Sequence, residues 1–65
     1  MILPKITSYW LHKNGDIYEV VGYSNILSTN LIEYPILVNY SRLKDNSIWS
    51  KSPEGFIKNR MELPL

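Results

Sequence analysis

At 65 residues the chain is one domain at most, 1–65, near the lower limit for independent folding, where only about 60% of the extended surface is buried. Seven Lys and Arg against six Asp and Glu leave a formal charge of +1, too small an excess to imply nucleic acid or an anionic membrane by itself. With no cysteine, disulfides, thiolate metal sites and cysteine nucleophiles are excluded, and a thin unstapled core gives weight to a homo-oligomer or a partner-completed surface.

The opening Met1-Ile2-Leu3-Pro4-Lys5 has no basic region followed by a long apolar run, so it does not read as a signal peptide. No window approaches the roughly 18 apolar residues of a membrane span, and the expected location is the cytoplasm of a bacterium or a phage-infected host. Pro4 makes residues 1–8 a loose lead-in or edge segment. Tyr9-Trp10-Leu11-His12 then has the aromatic content of a strand and runs into Asn14-Gly15, a pair that fits a type I′ turn because both residues tolerate positive φ. Residues 8–13 and 16–24 are therefore predicted as a hairpin, with Tyr18 and Val20 alternating against Ile17, Glu19 and Val21.

The segment 24–34 mixes Ser and Asn, which favour turns, with Ile26, Leu27, Leu31 and Ile32. A fully solvated loop would not carry those four residues. The loop is expected to pack on its own domain, to form a short helical turn, or to face a partner, the first being favoured. Pro35 opens the next strand over 36–43, with Ile36, Val38 and Tyr40 on its core face. Lys44-Asp45-Asn46 is a polar turn leading to a fourth strand, 47–51. Ser52 as N-cap and Pro53 at the first helical position predict one helical turn, which Gly55 keeps short. Phe56 is expected to plug one end of the core, and Ile57, Met61 and Leu63 to supply one face of a short last strand. The sum is an all-β, SH3-like, partly open antiparallel barrel of four to five strands with a short helical turn.

Three groups of residues resemble the pattern of a short, uncharacterised bacterial and phage family: His12, Gly15, Tyr18, Val20 and Gly22; Val38 and Tyr40; and Trp49, Lys51, Glu54 and Phe56. The resemblance spans 12–56, with departures at Ser41, where the pattern has an Arg directly after the tyrosine, and at Lys51-Ser52, where it has Arg-Pro. It implies a compact β fold and a bacterial or phage origin, and no activity.

His12 is the one histidine, and a lone imidazole is a poor zinc site, which takes three or four protein ligands; no metal and no cofactor are expected. No serine sits in a nucleophile elbow, and the carboxylates Asp16, Glu19, Glu33, Asp45, Glu54 and Glu62 are scattered, so an enzyme is not expected. The chemistry-bearing set is aromatic and basic: Trp10, His12, Tyr23, Tyr40, Arg42, Trp49 and Lys51. Such residues suit a protein interface, where Trp, Tyr and Arg are enriched. They also suit a nucleotide or single-stranded nucleic acid, with bases stacked on rings and phosphates met by cations. The leading expectation is a non-catalytic accessory protein that occupies a partner's surface, for instance as an inhibitor of a host or defence protein, with nucleic acid binding as the alternative.

Overall fold

A computed structural model describes residues 2–64; Met1, the start of the predicted lead-in, lies outside them. The strands are β1 (Tyr9–His12), β2 (Ile17–Ser24), β3 (Leu37–Arg42), β4 (Ser47–Lys51) and β5 (Arg60–Glu62), with helix α1 (Pro53–Ile57) between the last two. They form one antiparallel sheet in the order β4-β3-β2-β1-β5, the small, partly open all-β barrel that the pattern of short strands predicts.

The first hairpin closes differently from its prediction. Gly15 N–H donates to the His12 carbonyl at 2.9 Å, so Lys13 and Asn14 are the central residues and Gly15 follows at φ +98°. That is a three-residue loop with a bulged glycine, whereas a type I′ turn needs positive φ at Asn14 as well. The Asn14 side chain instead accepts from Asp16 N–H at 2.9 Å, a local bond that holds its backbone out of the left-handed region. The second hairpin turns through 43–46, with Asn46 left-handed at φ 59° and its N–H on the Arg42 carbonyl. Leu43 thus belongs to the turn and not to the strand.

Strand β2 carries a device that alternation conceals. Val20 pairs with Tyr40 but Gly22 pairs with Asn39, so Val21 is an extra residue, a β-bulge. The bulge shifts the side-chain parity: Tyr18 and Val20 face the core before it, and Tyr23, opposite Val38, faces the core after it. From there the Tyr23 hydroxyl donates to the Pro4 carbonyl at 2.6 Å. Thr7 N–H adds a bond to the Val20 carbonyl at 2.8 Å, and Pro4 is buried. The segment predicted as a loose lead-in is therefore tied down across the bulged strand.

The core consists of Trp10, Tyr18, Val20, Val38, Tyr40 and Phe56. Phe56 is fully buried, its ring 4.8 Å from Tyr40 and 5.4 Å from Trp10, the latter edge-on at 73°. Burying such a side chain contributes about 1.5–3 kcal/mol. What aims it inward is α1, whose N-cap Ser52 accepts from Gly55 N–H at 3.1 Å with Pro53 at the first helical position. A Cβ on Gly55 would stand 3.0 Å from that capping oxygen, so a larger residue there would push on the cap. The helix runs through Ile57, which removes that residue from the predicted last strand. Of the other two, Met61 lies in β5 and is exposed, and Leu63 follows it.

On the outer face, Asn39 accepts from the Ser50 hydroxyl at 2.7 Å and donates to Ser24 Oγ at 3.0 Å. This polar ladder clamps β2, β3 and β4 together. It leaves β4 as one terminal strand of the sheet and β5 as the other.

Candidate interaction surface

The seven singled-out residues divide by strand position. Trp10 and Tyr40 are buried, so neither ring is open for stacking; Tyr40 lies on the core face that the alternation of its strand predicts. For Trp10 the cause is β5, which pairs on the outer side of β1 and turns the first strand into an interior one; its indole N–H donates to Ser8 Oγ at 2.9 Å. For Tyr40 it is the central position of β3, where burial pushes the phenol pKa up and the nearby Arg60 guanidinium pulls against it. Tyr23 is half-buried and committed to Pro4.

His12 ends β1, half-buried, its Nδ1 accepting from Asn14 N–H at 3.1 Å and its ring 6.3 Å edge-on from Tyr18. The turn thus uses the nitrogen that a base would need. With Leu11, Lys13, Asn59, Arg60 and Met61, His12 lines a shallow groove of about 380 Å³. Among the described residues, no group of three or more His, Asp or Glu is placed to hold a metal ion, and no helix is long and apolar enough to cross a membrane.

Arg42, Trp49 and Lys51 share one face, with Arg42 and Trp49 in contact. Antiparallel register sets Trp49 opposite Tyr40, and Lys51 opposite Val38, on the same face. The Arg42 guanidinium lies 5.5 Å from the centre of the Trp49 ring, whose N–H donates to Ser47 Oγ at 2.6 Å. Arg42 is itself held by Asp45, with Nε and Nη2 on the two carboxylate oxygens at 3.2 and 2.7 Å, and Asp16 stands 3.8 Å away. The Arg42 guanidinium, with the Ser47 hydroxyl and amide, holds the Asp45 carboxyl well below the usual carboxylate range. Trp49 is 49% exposed because, among the described residues, no strand pairs on the outer side of β4.

One feature escaped the sequence reading. Arg60 lies 4.7–5.0 Å from the rings of Phe56, Tyr18 and Tyr40 and donates to the Phe56 carbonyl at 2.9 Å, closing one mouth of the barrel with a cation over aromatic faces. Its only signal is an arginine four residues after the core phenylalanine; the helix ends at Ile57, and left-handed Asn59 turns the chain so that Arg60, the first residue of β5, lies over the ring. The loop 25–36 holds the four apolar residues that the sequence singles out, Ile26, Leu27, Leu31 and Ile32. Asn25, left-handed at φ 61°, donates from its side chain to the Pro35 carbonyl at 2.9 Å and closes the loop base. Tyr34 N–H reaches the Asn30 carbonyl at 2.8 Å in a single helical turn, while Asn30 Oδ1 accepts from Glu33 N–H.

With the polar side chains employed on the backbone, the apolar ones point away. Leu27 is 90% and Ile32 97% exposed, and Ile26, Leu31 and Tyr34 are exposed beside them. The favoured expectation, a loop packed on its own domain, is thereby overturned; the helical turn is present. The fold and this surface define a class, a small open β barrel with a structured apolar loop. Compared with known protein families, curated proteins and solved structures, the chain matches none of them.

Proposed function

We propose that the chain is a non-catalytic binding module that docks on a partner protein by inserting the tip of the 25–36 loop into an apolar cleft. The observation that carries this reading is the near-complete exposure of Leu27 and Ile32 on a loop whose backbone is internally bonded. Ordering is already paid for in the free protein, which lowers the entropic cost of binding. Support comes also from the neighbouring Ile26, Leu31 and Tyr34, which are exposed on the same loop. The test compares wild type with Leu27→Asp/Ile32→Asp, each immobilised and exposed to lysate of the source cells. Proteins retained by wild type and lost by the variant support docking through the loop; identical retention, or none, overturns it.

A second reading, single-stranded nucleic acid binding, is favoured by Trp49, Arg42 and Lys51 sharing one face of β3 and β4. It is the weaker of the two, because Trp10 and Tyr40 are interior and Arg42 is bound to two carboxylates. Oligonucleotide titrated at low salt should quench Trp49 fluorescence and release it as salt rises. Unchanged fluorescence removes this reading.

A further inference from the structure

The two terminal strands of the sheet are unequal. Strand β5 has three residues and is followed closely by Pro64, which has no N–H to offer a neighbour. Strand β4 has five residues in unbroken register with β3, without proline or bulge. Sheets ordinarily blunt such an edge with prolines, bulges or inward charges, and of these β4 has only Lys51, at its C-terminal end on the inner face. Here the edge carries large apolar groups on both faces, Trp49 on the inner and Ile48, 64% exposed, on the outer.

We propose that the free edge of β4 pairs antiparallel with β4 of a second copy, about a twofold axis through Trp49, to join two barrels into one continuous sheet. The argument for a second copy is self-complementarity. Centring on Trp49 sets Ser47 opposite Lys51 of the second copy and Ile48 opposite its Ser50, with the two tryptophan rings meeting at the axis. Ser47 holds the Asp45 carboxylate through its N–H and hydroxyl, at 3.1 and 2.7 Å. Arg42 lies between Asp45 and Asp16, so that corner of the molecule has two carboxylates for one guanidinium. Lys51 makes no ion pair among the described residues and is exposed. The pairing delivers each Lys51 to the acidic corner of the other copy, twice by symmetry. A shift of register by two residues separates the indoles and moves both lysines off the acids.

A five-residue edge buries less than the roughly 1,200 Å² of a standard stable interface, so the dimer dissociates on dilution. It does not depend on the loop reading. It does cover Trp49, so it competes with nucleic acid there.

The chain has no cysteine, which makes disulfide trapping unambiguous. Ile48→Cys and Ser50→Cys chains, mixed in equal amounts and gently oxidised, should give the mixed disulfide well above its statistical share. Facing positions lie within disulfide reach, whereas each cysteine is diagonal to its own copy. Sedimentation of wild type should move from monomer to dimer with concentration, and Lys51→Asp should stay monomeric with an unchanged circular dichroism spectrum. Leu27→Asp/Ile32→Asp should dimerise like wild type, so a failed loop reading and a failed dimer are told apart. A statistical mixture of disulfides, a monomer at every concentration, or a ring-sized assembly such as β4-to-β5 pairing would produce, overturns the proposal.

Discussion

The barrel interior and the 25–36 loop treat apolar side chains in opposite ways. In the barrel, a two-residue period aims Tyr18, Val20, Val38 and Tyr40 at one another, and α1 supplies Phe56 from outside the sheet. In the loop there is no period, and Asn25, Ser28 and Asn30 satisfy the backbone locally, so the chain bends without needing its Leu and Ile residues. The fully buried core is aromatic and valine, while Leu and Ile residues are half-buried at its margin or exposed. Stability and surface chemistry are thus carried by different residue types in different places, and substitutions should separate them.

The largest effect should come from Phe56→Ala. Truncating a fully buried phenylalanine costs about 3–5 kcal/mol, against a total of about 3–10 kcal/mol for a chain of this length. The variant should be largely unfolded in urea titrations begun from mild conditions. A loss near 1 kcal/mol would mean that α1 is a loose cover and that the barrel closes without its plug.

Next comes Tyr23→Phe, which removes the bond to the Pro4 carbonyl and keeps the ring. Its expected cost is about 1 kcal/mol, with faster amide exchange confined to residues 2–8. This substitution tests the part of the barrel that was least legible. The strands could be read because β-branched and aromatic residues recur between turn residues, and Ser52-Pro53 announced the helix in the usual capping order. The bulge at Val21 could not, since Val20-Val21-Gly22 holds no residue whose conformation demands it, and Gly22 keeps a negative φ.

The candidate surface was legible by residue type and not by address. Trp10 and Trp49 look alike in sequence, each a tryptophan in a short strand beside a turn. Only the long-range pairing of β5 on β1 makes the first interior, and only the lack of a neighbour leaves the second outside. A local pattern cannot disclose which strand ends a sheet.

A smaller effect belongs to the ion pair beside Trp49. Because the folded Asp45 carboxyl lies below its usual range, the stabilisation is complete above the unfolded value of about 4 and is lost as pH falls toward the folded one. Asp45→Asn should therefore be less stable than wild type near neutrality, with the two denaturation midpoints converging in acid. Both partners reach solvent, so the difference should also shrink in high salt. Midpoints that stay apart in strong acid would assign the effect to the Ser47 hydrogen bonds and not to charge.

The smallest effect on stability should be that of Leu27→Asp/Ile32→Asp, within about 0.5 kcal/mol of wild type. Neither side chain is in the core cluster, and the bonds that close the loop come from Asn25, Asn30 and Tyr34. Two charges placed on side chains already in water meet no burial penalty. If the midpoint nevertheless falls by several kcal/mol, the loop packs on the barrel in solution and the apolar tip is unavailable to a partner. If it holds while partner retention disappears, the division between barrel and loop is one of labour as well as position: residues that contribute almost nothing to folding carry the docking energy.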